Sequence, residues 1–189
     1  VKYCISNKIT ELNKRQEMVV DSILDHYYGT VPTEFVYKGK TYTPRTYSDQ
    51  YLGLNPDDYL EITSYTHHPF YTRFVLEDKY NWTGDAYWNV TLDDFVSITN
   101  HALDNGFTVG WDGDADDPDF HYNDGYASLK NPPVGDQQKA RQQAFDSQAT
   151  LLDHMMHIVG RVRQNGKIWY YVKNSWGKTS NSTGGFLYM

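Results

Sequence analysis

Apolar residues in the first thirty positions recur every three to four: Leu12, Val19, Ile23 and Tyr27, with Glu11, Lys14, Arg15, Glu17 and Asp21 between them. That spacing predicts an amphipathic helix, which Gly29 and Pro32 bring to an end. The period then shortens. From Glu34 to Thr43, aromatic and β-branched residues lie on both sides of Lys38-Gly39, predicting a hairpin that turns there. Pro44 to Leu54 reads as a short helix, and Tyr59 to Thr63 and Tyr87 to Thr91 read as strands joined by an aromatic-rich loop. Thr91 is placed to cap a helix running from Leu92 to Asn105 and closed by Gly106. A short strand, Phe107 to Trp111, leads into the acidic stretch Asp112 to Asp119, and Pro132-Pro133 breaks the chain again. Gly135 to Ala149 is polar and Gln-rich, with helical propensity. The end is β-rich: His154 to Val162, a turn at Gln164-Asn165-Gly166, then Ile168 to Lys173 and Gly185 to Met189. Helices early and strands late predict an α+β arrangement rather than alternating βαβ units.

Composition narrows the function classes. The 189 residues are 39% hydrophobic and 16% aromatic, with 17 tyrosines, enough to bury a core and exclude wholesale disorder. Seventeen Lys and Arg against 24 Asp and Glu leave a formal net charge of -7. The basic footprint of a nucleic-acid or anionic-membrane binder is missing, and no apolar stretch approaches the ~20 residues that span a bilayer. Neither nucleic acid nor membrane is therefore expected as a partner. One cysteine, Cys4, cannot form an internal disulfide. No signal peptide is apparent, and a cytoplasmic location is the expectation. The chain starts at Val1 and stops at Met189 inside a strand-like run, which leads us to expect a piece of a longer protein.

The chemistry is concentrated near the end. Asp153-His154-Met155-Met156-His157 opens one strand, and Lys173-Asn174-Ser175-Trp176-Gly177 closes its hairpin partner. Such strand ends meet, so His154 and Asn174 can sit side by side. An Asn side-chain oxygen accepting from one imidazole nitrogen fixes the tautomer and leaves the other nitrogen free to accept a proton. That is two-thirds of a Cys-His-Asn arrangement. The alternative is a hydrogen-bonded hairpin pair with no chemistry.

His154, Gly160, Asn174-Ser175-Trp176-Gly177 and Gly184-Gly185-Phe186-Leu187-Tyr188-Met189 resemble the His and Asn half of papain-like cysteine peptidases. The segments Gly29 to Phe35, Thr43-Pro44, Asn55 to Tyr59, Tyr87 to Val90 and Gly106 to Val109 follow the order seen in the bleomycin hydrolase and aminopeptidase C branch. The resemblance implies a papain-like fold, mainly its antiparallel, barrel-like half with preceding helices. Within it, residues 1–30 would be a leading helix, 31–135 a mixed α/β segment, and 136–189 the His/Asn hairpin and terminal strand. It implies that His154 is the catalytic histidine, that Asn174 orients it, and that Trp176 shields their bond and borders the leaving-group side. Asp153 and Met155 fall where the family has cleft-wall residues, and Trp111 corresponds to another wall. Peptide substrates of the aminopeptidase type, hexamers in the full-length protein and no cofactor are implied as well.

One element of the family pattern is missing. The nucleophile of these peptidases opens a helix in a Gln-containing, Gly-rich Cys-Trp motif. Cys4, in Lys2-Tyr3-Cys4-Ile5-Ser6, has no Gln before it and no Trp after it. Its separation from His154 resembles that of short papain-like enzymes, but the residues between match a region that follows the nucleophile helix. Either this chain is the C-terminal piece of a peptidase whose N-terminal half it needs as a partner, or it has lost its nucleophile and serves as a binding or scaffold domain. In both cases the chain alone is expected to be inactive.

Three other patterns are weaker. Asp112 to Asp119 alternates carboxylates as a calcium loop does, but has Asp117 where Gly is needed and Asn123 where Glu is needed. Zinc on His154 and His157, with His67-His68, is disfavoured because residues three apart on a strand face opposite ways. His157 is expected in the β core, and no metal is expected. Tyr65, Tyr71, Tyr80, Trp82, Tyr87 and Trp88 could form a carbohydrate platform and are better read as core.

Overall fold

The computed structural model describes residues 12–189, so Cys4 lies outside the described residues. They fall into two compact units, divided between Tyr59 and Leu60.

The first unit opens with α1 (Lys14–Tyr28), started by a capping box in which Asn13 and Gln16 each accept from the other's backbone N–H. None of its residues is buried, so the apolar stripe legible in the sequence is left uncovered among the described residues; Met18 and Ile23 are 68% and 52% exposed. Strands β1 (Phe35–Tyr37) and β2 (Lys40–Tyr42) form the expected hairpin. Its turn places both Lys38 and Gly39 at positive φ, the geometry that matches strand twist. Thr43 caps the short α2 (Pro44–Tyr47), which runs on as a π-helical turn, Ser48–Leu52. Phe35, Tyr37, Tyr42, Tyr47 and Tyr51 pack ring against ring, and of these only Tyr42 is buried.

The second unit carries two sheets. In the smaller, β3 (Ile62–Thr63) pairs parallel with β5 (Ala86–Asn89), and β4 (Arg73–Val75) pairs antiparallel on the other side. β4 lies inside the expected aromatic loop. Of the six aromatic residues expected in the core, Tyr65 is buried, whereas Tyr71, Tyr80, Trp82 and Trp88 are exposed. Strands of two to four residues have too little surface to cover them. Helix α3 (Leu92–Asp104) starts at Thr91, whose hydroxyl accepts from Asp94 N–H.

The larger sheet has six strands in the order β6-β9-β10-β11-β8-β7. They are β6 (Val109–Gly113), β7 (Phe120–His121), β8 (Tyr126–Ala127), β9 (His154–Gln164), β10 (Lys167–Lys173) and β11 (Phe186–Tyr188). All pairs are antiparallel except β8 with β11, and the sheet is open. Asn165-Gly166, both at positive φ, turns β9 into β10. Met156, Ile158, Val172 and Leu187 form the core with Tyr122.

Helix α4 (Gln137–Asp146) is the polar, Gln-rich segment, and it docks through amides rather than an apolar stripe. Gln138 Oε1 accepts from Leu92 N–H and the Ser64 hydroxyl, Gln142 Oε1 accepts from Thr66 N–H, and Arg141 Nε donates to Ser64 C=O.

Candidate active site

β9 and β10 create the site by register. Lys173 pairs with His157, so the chain leaving β10 at Asn174 runs beside the strand start at His154. Between them the ladder slips: Tyr171 faces Gly160 while Val172 faces Ile158, leaving Val159 as the extra residue of a bulge. Alternation then decides which side chains face inward. His154 shares a face with buried Met156 and Ile158, and Asn174 shares one with buried Val172.

His154 Nε2 lies 2.9 Å from Asn174 Oδ1, and that same oxygen accepts from Ser175 N–H at 2.7 Å. A backbone N–H can only donate, so the atom receiving it is the amide oxygen. His154 Nε2 must therefore carry the proton, and Nδ1 is left with its lone pair. Asn174 is 3% exposed. Its backbone N–H donates to Gly185 C=O at 2.9 Å, tying it to the segment entering β11. Its Nδ2 is buried and has no hydrogen-bond partner among the described residues, a cost the site carries.

Trp176 lies over the imidazole, ring centres 4.8 Å apart, and is itself held edge-on by Tyr122 at 4.7 Å. It covers one side of the His154 ring while staying half exposed. Trp111 sits on β6 opposite Met156, partly buried against the core. Its indole covers Gly113, where a Cβ would fall 2.3 Å from the ring.

The flanking residues point elsewhere. Asp153 Oδ1 accepts from Ala115 N–H at 3.0 Å, so its carboxylate holds the acidic loop against the start of β9. Met155 is 65% exposed and alternates off the His154 face. His157 is exposed on that outer face as well, not in the β core as expected, because Met156 and Ile158 take the inward positions.

The acidic loop spends its carboxylates on backbone N–H groups, its own and those of Lys130 and Leu151. Asp114 accepts from Asp116 and Leu151 N–H, Asp117 from Asp119 N–H, and Asp119 from Lys130 N–H. Asp112 is pushed above the usual carboxylate range by partial burial and by the charges of Asp78 and Asp153, with the Gly113 N–H and His154 pulling the other way.

Sequence reasoning missed a second cluster. The rings of His67 and His68 both meet Glu77, with His67 Nε2 at 3.0 Å and His68 Nε2 at 2.6 Å from separate carboxylate oxygens. Burial raises the Glu77 carboxyl, but hydrogen bonds from His68 and His67 outweigh it and bring it down to about 2. The His-His doublet was a visible signal; Glu77, carried beyond β4, was not.

An open α+β sheet presenting a carboxamide-held imidazole beneath a tryptophan is the arrangement of a papain-like cysteine peptidase. Comparison with known proteins agrees. The model of the Peptidase C1-like family matches residues 27–189, and the chain belongs to that family. Among solved structures, PepW from Lactobacillus rhamnosis HN001 shares the fold, with a TM-score of 0.65 at 21% identity over 98% of this chain. The match covers 47% of PepW, so the chain spans about half of that protein's length. No curated protein matches the sequence.

Proposed function

We propose that this chain supplies the acid–base half of a cysteine peptidase of the bleomycin hydrolase and aminopeptidase C type, with the nucleophilic cysteine contributed by residues outside this sequence. The observation that carries the reading is the 2.9 Å contact between His154 Nε2 and Asn174 Oδ1, with the oxygen assigned by Ser175 N–H. It leaves Nδ1 as the nitrogen that faces a thiol.

In the assembled enzyme, Nδ1 takes the thiol proton and the thiolate attacks the scissile carbonyl. The imidazolium then returns that proton to the leaving amine as the C–N bond breaks, leaving a thioester. His154 next takes a proton from water, whose oxygen attacks the thioester and releases the acid and the thiol. Asn174 positions the ring throughout, and Trp176 keeps water from their hydrogen bond. Trp111 belongs to the wall around the peptide as an indole surface, Asp153 serves that wall only by holding the acidic loop in place, and Met155, on the other face of β9, stays outside it. Aminopeptidase-type substrates and hexamer assembly belong to the same proposal.

The test is the protein encoded together with its upstream sequence, assayed on aminoacyl reporter amides. His154→Ala should lower kcat by ~10²-fold or more, the usual contribution of a positioned acid–base group. An upstream sequence without a Gln-to-Cys-Trp segment, or unchanged turnover in His154→Ala, would favour a non-catalytic binding domain instead.

A further inference from the structure

We propose that His67, His68 and Glu77 form a binding site for one divalent transition-metal ion of the zinc class. The nitrogen and oxygen atoms offered by these three residues all lie within 4.8 Å of one another. Two imidazole nitrogens and a carboxylate are a ligand set that zinc accepts, leaving further positions for water. Four-coordinate zinc with bonds of ~2.0–2.1 Å sets its ligand atoms roughly 3.3 Å apart. Here the two N···O separations, to separate carboxylate oxygens, are 3.0 Å and 2.6 Å and all three ligand atoms lie within 4.8 Å, so an ion needs the close pairs to open and the widest separation to narrow.

The rings are already held. His68 stacks on Phe74 with centres 4.2 Å apart, and His67 stacks on Phe145 at 5.4 Å with the planes 15° apart. Gln142, buried on α4, meets the far nitrogen of His67 with both amide atoms: Nε2 lies 3.0 Å and Oε1 3.3 Å from Nδ1. A metal on Nε2 requires the proton on Nδ1; Gln142 Oε1, which already accepts from Thr66 N–H, is within reach of that proton once the amide shifts by a few tenths of an ångström, giving the kind of partner that ligating histidines usually have. The backbone under the histidines is fixed too, because Asn89 Nδ2 donates to the carbonyls of Tyr65 and His68 at 2.8 and 2.9 Å. Glu77 also lines a cavity of about 200 Å³ with Phe145, Asp146 and Leu151, which gives space beside the carboxylate. The expectation of no metal came from His154 and His157 facing opposite ways, an argument that does not touch this trio.

The ion would clamp the turn after Tyr65 to the segment following β4. The experiment is calorimetric titration of the full chain with Zn²⁺ alone, with Co²⁺ absorption as a second readout. One ion per chain is expected. His68→Ala and the isosteric Glu77→Gln should each weaken binding by about tenfold or more, while His101→Ala, on α3, leaves it unchanged. If His68→Ala fails to fold, Glu77→Gln decides. Absence of stoichiometric binding, or binding unaltered in Glu77→Gln, would overturn the site.

Discussion

Asn89 shows how much one buried amide can organise. It is fully buried, its Oδ1 accepts from Tyr65 N–H at 2.9 Å, and its Nδ2 reaches the carbonyls of Tyr65, His68 and Pro69. In the sequence it is one polar letter inside Tyr-Trp-Asn-Val, and nothing local marks it as a hub, because its partners lie some twenty residues earlier. Removing it leaves a backbone donor and several acceptors buried without partners. Asn89→Ala should therefore cost about 2–4 kcal/mol, far more than a typical surface polar change. Urea unfolding measures it, and a loss below about 1 kcal/mol would show that water satisfies those groups. His154 and Asn174 are the opposite case. Their partnership was legible because a strand start and a hairpin end are forced together, a local rule needing only the Asn165-Gly166 turn. What was not legible was the direction of their neighbours: Asp153 turns to Ala115 N–H, and His157 turns outward.

At the scale of elements, the pieces with short-range signals were readable. Thr91 caps α3, Lys38-Gly39 and Asn165-Gly166 make the two hairpins, and each signal lies within a few residues of what it controls. β4, β7 and β8 were not readable. They are two or three residues long, too short to leave a periodic pattern; β4 and β7 are set by the strands that follow them, and β8 also meets β11 at Tyr126 and Tyr188, across half of the second unit. Helix α4 was readable as a helix but not as a docked one, since its contacts run through Gln138, Arg141 and Gln142. The entry to β11 yields a sharper prediction. Gly185 has φ +87°, and a Cβ there would fall 2.7 Å from Gly177 C=O, whereas Gly184, at φ +72°, has open space. Gly184→Ala should cost only the left-handed backbone penalty, about 1–2 kcal/mol. Gly185→Ala adds a clash with backbone and should cost more, while shifting the His154 imidazole NMR signals through Asn174, whose N–H binds Gly185 C=O. Equal losses in the two variants, with His154 signals unmoved, would separate the glycine from the site.

At the scale of the molecule, the proposed function sets the His154–Asn174 pair apart from the nucleophile it would serve. The chain spans about half of PepW's length, and its one cysteine sits outside any nucleophile motif. An imidazole alone can take a proton from water, but without a nucleophile to form the thioester and donors to hold the oxyanion, the amide carbonyl keeps most of its barrier. The purified chain should therefore give no turnover of aminoacyl reporter amides above buffer, at any pH where the fold persists. Adding a thiol-alkylating reagent should change nothing. The decisive comparison is with Cys4→Ala: turnover by the chain that disappears in that variant would make Cys4 the nucleophile and this sequence a self-sufficient peptidase. Turnover that survives Cys4→Ala but not His154→Ala would point to general-base hydrolysis by the imidazole itself. Silence from all three proteins, with activity returning when an upstream segment carrying a Gln-to-Cys-Trp motif is supplied, is the outcome expected under the proposed division of the catalytic groups.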